Sequence, residues 1–131
     1  MEKQKIVING NHFSDIEGFY DEAYRVLTSG LDWQPAHNLD ALNDILYGGF
    51  GTFSLGEPIV LEWINYPKSR KDLGREPSIR YYESRAAGLS GKRADYFQGL
   101  ADQLKTGGGE TLIGMISGMI GERQNIRFIA R

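Results

Sequence analysis

Residues Pro58–Trp63 read "PIVLEW". The run is short, apolar and partly β-branched, and it lacks strict alternation. That pattern marks a strand covered on both faces, as in a parallel sheet. Two other segments match it. Lys5–Asn9, "KIVIN", is followed by Gly10, and Asn125–Ala130 reads "NIRFIA". Helical patterns separate the three. Strands alternating with helices build a parallel sheet with right-handed crossovers. The expected fold is α/β, a three-stranded parallel sheet with surrounding helices. A length of 131 residues fits one domain spanning 1–131.

Between the first two strands lie two helical patterns. Ser14 and Glu17 have capping-box spacing, and Ile16, Tyr20, Ala23, Tyr24 and Leu27 follow on one face, with Gly30 beyond. The second pattern lies within "HNLDALNDILYGGFG", His37–Gly51. Asn38 is a good N-cap, Leu39, Leu42, Ile45 and Leu46 form an inward stripe, and Gly48 and Gly49 end the helix. After the second strand, Asn65, Pro67 and Gly74 bracket a short helix. Residues 75–109 begin basic, then carry a helix from near Lys92 with Phe97, Leu100, Ala101 and Leu104 on one face. Glu110–Glu122 is apolar on most sides, as a buried helix is. Gly114, Gly118 and Gly121 share a face there, where another backbone has room to approach.

Hydrophobic residues make up 40% of the chain, enough for a core, and there is no cysteine, so no disulfide and no Cys-based metal site. No apolar run near the first residue suggests a signal peptide, and none reaches the roughly 18 residues of a membrane span. The expectation is a cytoplasmic protein with no membrane contact. Net charge is −2 but unevenly spread. Residues 1–62 hold 10 acidic and 3 basic side chains, and residues 63–131 hold 7 acidic and 12 basic. An acidic first half repels phosphates and favours a cationic partner, although its charges also have the basic half to pair with.

Asp40 and Asp44 sit one helical turn apart, with no Lys or Arg between Arg25 and Lys68. Like charges at that spacing cost a few tenths of a kcal/mol. The helix dipole favours Asp40, in the first turn, but offers Asp44 little. With Asn43 and Tyr47 beside them, the two form an acidic knob. Other chemistries remain open. Asp40, Asp44 and Glu62 suggest a small metal-dependent hydrolase, without diagnostic spacing. His37 has acid–base chemistry, but a histidine just before a helix more often serves its surface or cap; His12 lies in a turn. Gly107–Gly109 lacks the Gly-Lys-Ser/Thr ending of a phosphate loop. The basic run Lys68–Arg93, with Tyr81, Tyr82, Tyr96 and Phe97, would suit nucleic-acid stacking, but core packing and ordinary solvation explain the same residues better. No nucleophile–base pair assembles, so no enzyme activity and no cofactor is expected.

The order of these motifs resembles the barstar family of intracellular ribonuclease inhibitors. The resemblance rests on Ile8-Asn9-Gly10, Asn38-Leu39-Asp40-Ala41-Leu42, Asp44, Leu46, Gly48 and Val60-Leu61-Glu62-Trp63. It covers about 3–74 and, more weakly, 110–131, leaving 75–109 as an insertion. It implies an inhibitor whose acidic helix plugs the active site of a bacterial ribonuclease or related cationic toxin. Asp40 and Asp44 would meet the cations that hold RNA phosphates, with Asn38, Asn43, Tyr47 and Gly48 shaping the surface. Gln34 stands where the family has a tyrosine, so Trp33 or Gln34 would supply that contact. Asn43 and Gly49 replace aromatics, and Gly118 replaces a contacting glutamate, with Glu122 one turn further on. Target identity and oligomeric state are left open by the residues.

Overall fold

The computed structural model describes residues 3–131; Met1 and Glu2, the start of the expected domain, lie outside the described residues. Three strands, β1 (Gln4–Asn9), β2 (Ile59–Ile64) and β3 (Ile126–Ala130), form a parallel sheet in the order β1-β2-β3. Register pairs Ile6 with Leu61 and Leu61 in turn with Phe128, and Ile8 with Trp63. Ile6, Ile8, Leu61 and Trp63 are buried beneath the helices. The opposite face is less covered than the non-alternating β2 sequence implies. Lys5 and Arg127 are exposed there and Val7, Val60 and Ile129 only half-buried. Glu62 lies on this face and is buried by side chains rather than by a helix. Lys5 and Arg131 reach it at 3.1 Å each.

Among the described residues, six α-helices and a 3-10 turn at Gly10–His12 connect the strands: α1 (Ile16–Leu27), α2 (Leu39–Ile45), α3 (Tyr66–Asp72), α4 (Arg75–Ala87), α5 (Gly91–Lys105) and α6 (Leu112–Gly121). The α1 cap is one residue later than the capping-box reading. Asp15 Oδ1 accepts from the Gly18 amide at 2.8 Å, and Ser14 is outside. The expected stripe is buried, together with Phe19, which stacks on Trp63 at 5.3 Å. Asn65 begins α3 in the left-handed region (φ 53°) without a side-chain cap. Its amide donates to Asn11 Oδ1 instead, tying the β2 exit to the β1 exit.

Residues 75–109 form two packed helices. Leu104, Ala101, Ile79 and Tyr82 are buried in the same hydrophobic cluster as the sheet. α4 has few apolar residues, so its periodicity is faint in the sequence. Ser78 stitches it in place: its Oγ donates to Leu73 O at 3.2 Å and accepts from the Leu112 amide at 2.8 Å. α6 buries Leu112, Ile113, Ile116 and Ile120, whereas Met115 and Met119 are only half-buried and Gly118 is exposed. Among the described residues nothing outside the helix's own backbone lies within 4 Å of a Cβ built on Gly118 or Gly121, so no neighbouring backbone packs there. The helix is apolar all round but buried on one side.

Candidate functional site

Asn38 opens α2 as the sequence predicts: its Oδ1 accepts from the Ala41 amide at 2.7 Å. Leu42, Ile45 and Leu46 anchor the helix in the core, and Leu39 is half-buried. Gly48 ends it at φ 92°, where a Cβ would meet Ser54 O at 2.4 Å. Both the dihedral and the space require glycine. This turn fixes which way the last side chains of α2 point.

With its apolar stripe inward, α2 leaves Asp40 and Asp44 exposed. No ion pair within 4.0 Å reaches either carboxylate among the described residues. Asn43 and Tyr47 are engaged from within the chain. Arg123, just beyond α6, donates from Nη2 to Asn43 O at 2.9 Å and also to Asn43 Oδ1. Its guanidinium lies 4.2 Å from the centre of the Tyr47 ring. The contact bridges 80 residues of sequence, and sequence reasoning missed it. A cation at the C-terminal carbonyls of a helix is favourably placed. Tyr47 nevertheless stays 52% exposed, with one ring face backed and the other open.

Asp40 stands between two grooves. Toward α6, a groove of about 470 Å³ is lined by Asp40, Asn43, Glu110, Glu122, Met115 and Met119, with Gly118 opening it. Glu122 thus faces the same space as Asp40, and no Lys or Arg lines it. Toward α5, a second groove of about 190 Å³ is mainly aromatic and aliphatic. Trp33 and Gln34 lie elsewhere. Both are exposed, and they line a depression over α1 with Asp21, Arg25 and His37. Trp33 meets Phe50 edge-on at 6.3 Å. His37 is a structural link: it stacks on Tyr20 at 5.2 Å, with Nδ1 2.5 Å from Glu17 and Nε2 3.3 Å from Asp21.

The rival chemistries fare differently. Glu62 does not join Asp40 and Asp44, since it lies on the far face of the sheet. There Lys5 and Arg131 hold its carboxylate below the usual range. Among the described residues, no three His, Asp or Glu side chains group as a metal site. The stacking aromatics are largely absorbed by packing. Tyr82 is buried, with its hydroxyl pushed well up by desolvation, Tyr81 and Phe97 are half-buried, and Tyr96 alone of the four stands 62% exposed. Lys68 turns inward, donating to Gly10 O, Phe13 O and Asp72. No helix is long and apolar enough to cross a membrane among the described residues.

Fold and site together define a small α/β protein on three parallel strands that presents an acidic helix to solvent. The chain belongs to the barstar family: the family described as barstar, the barnase inhibitor, matches residues 3–82. The match takes in β1, α1, α2, β2, α3 and the first part of α4. Members of this family are inhibitors that bind ribonucleases, not enzymes. Comparison with curated proteins gives no match.

Proposed function

We propose that the chain is an intracellular inhibitor that blocks the active site of a barnase-type ribonuclease or related cationic toxin through α2. The observation that carries this reading is that Asp40 and Asp44 are exposed one turn apart with no cation on either among the described residues. A protein tolerates such repulsion cheaply at its surface, and a partner's Arg, Lys or His relieves it. Asp44 is the central contact, Asp40 supports it, and Asn38, Asn43, Tyr47 and Gly48 shape the surrounding surface. Trp33 and Gln34 belong to the approach to α2. The carboxylates stand in for RNA phosphates, so inhibition needs no cofactor and no chemistry.

Asp44→Ala should leave the melting temperature unchanged or slightly raised, because one like charge is removed. It should weaken binding to the ribonuclease by about 2–5 kcal/mol, a range informed by the barnase–barstar interface itself, mainly through faster dissociation. Binding kinetics paired with thermal melting make the test. An Asp44→Ala chain that inhibits RNA cleavage as well as the wild type ends the assignment of α2.

A further inference from the structure

The groove between α5 and the first turn of α2 has the character of a side-chain socket. Leu39 and Asp40 of α2 form one wall, Tyr96, Phe97 and Leu100 of α5 the other, and Met115 of α6 lies with them. Its volume, about 190 Å³, falls short of the roughly 300–1,000 Å³ of small-molecule pockets. Tyr96 meets Phe97 edge-on at 5.3 Å and stands 62% exposed at the rim. The Arg85 guanidinium already lies 5.1 Å from the Phe97 ring centre. Arg85 itself lines the groove, so a cation of the chain already stands there, and the aromatic and aliphatic walls favour an uncharged occupant.

Resting on the reading of α2 as the partner-binding helix, we propose that the partner face continues into this groove. There it receives one large apolar side chain of the same ribonuclease, beside the cation that meets Asp40. Asp40 lines the groove and is exposed on α2, so a partner side chain that meets Asp40 stands at the groove mouth. The Asp40 charge is matched by the partner's cationic cleft, and the aromatic wall supplies what the acidic helix lacks. Interfaces concentrate their energy in such arrangements, with Tyr, Trp and Arg as anchors in desolvated pockets beside charged contacts. On this reading the α4–α5 pair is a specificity element.

The test measures binding of the full chain to barnase and to a panel of other small cationic microbial ribonucleases, using wild type, Tyr96→Ala, Tyr96→Phe and Asp44→Ala, each checked for folding by circular dichroism. Tyr96 is exposed, so its variants are expected to fold. The expected result is a loss of about tenfold or more for Tyr96→Ala, with Tyr96→Phe close to wild type because the ring remains. If Tyr96→Ala binds as wild type while Asp44→Ala is weakened, the groove is overturned and α2 stands. If Tyr96→Ala is weakened and Asp44→Ala is not, the assignment of α2 falls, and with it the groove as a continuation of that face. A chain that binds no member of the panel overturns both.

Discussion

At the scale of single residues, Glu22 and Asp44 make opposite use of a carboxylate. Glu22 is 4% exposed and fully engaged. It accepts from the Asn9 amide at 2.9 Å and from Arg25 at 3.0 and 3.1 Å, and it lies 3.0 Å from His12 Nδ1. Burial pushes its carboxyl up, but the bonds from Asn9, His12 and Arg25 outweigh burial and hold it below its ordinary value. A depressed carboxylate stabilises the fold above its unfolded-state pKa and loses that contribution as pH falls through the folded value. Melting should therefore drop on acidification below the usual Glu range. Glu22→Gln should cost about 1–3 kcal/mol at neutral pH and flatten the acid limb. An acid limb identical in the two proteins would remove Glu22 as its source. Arg123 gives a second residue-scale prediction. Arg123→Ala removes its bonds to Asn43 and the support behind Tyr47, costing about 1–2 kcal/mol, and should raise amide exchange over 43–48 more than in the sheet. Uniform exchange would make Arg123 a bystander. Asp40 and Asp44 were legible in the sequence because a short helix with a clear stripe fixes which side chains face out. Arg123 was not, because nothing local links it to a helix 80 residues away.

At the scale of elements, legibility tracks how much of an element's burial is written in its own sequence. β1, β2, α1 and α2 each bury a dense apolar set, and the sequence placed them within a residue or two. α4 buries only Ser78, Ile79 and Tyr82, so no stripe shows. Its place is set by tertiary partners, with Ser78 joining the end of α3 to the start of α6. Ser78→Ala should therefore cost about 1–3 kcal/mol, by leaving the buried Leu112 amide without its acceptor. Chemical denaturation measures it; a cost near zero would mean that Thr111, whose Oγ1 caps the Gly114 amide at 3.0 Å, holds α6 alone. α6 was misread for the reverse reason. Its hydrophobicity is nearly uniform, so sequence alone cannot tell a wholly buried helix from one whose Met115, Met119 and Gly118 edge is left open. The same edge borders the acidic groove lined by Asp40, Glu110 and Glu122.

At the scale of the whole molecule, the charge asymmetry read from the sequence resolves into two populations. Many basic side chains of the second half are spent inside the chain, Lys68 on the turn after β1, Arg131 on Glu62, Arg123 on α2 and Lys105 on Glu83. Asp40 and Asp44 receive none of them, and Glu110 and Glu122 extend their negative field across the α2–α6 groove. Intrachain pairing therefore accounts for much of the basic half and fails for the acidic helix. A predominantly acidic surface around a binding face accelerates encounter with a cationic partner and loses that advantage as ions screen it over a Debye length of about 10 Å at 0.1 M salt. The association rate with the ribonuclease should fall about tenfold or more between roughly 0.01 and 0.5 M salt, while dissociation changes far less. An Asp40→Asn, Asp44→Asn double variant should start slower and show a shallower slope, because the field, not the packing, has been reduced. Stopped-flow mixing at a series of salt concentrations separates the two. A wild-type association rate insensitive to salt, or a double variant with the same slope, would mean that α2 contributes contact but not steering.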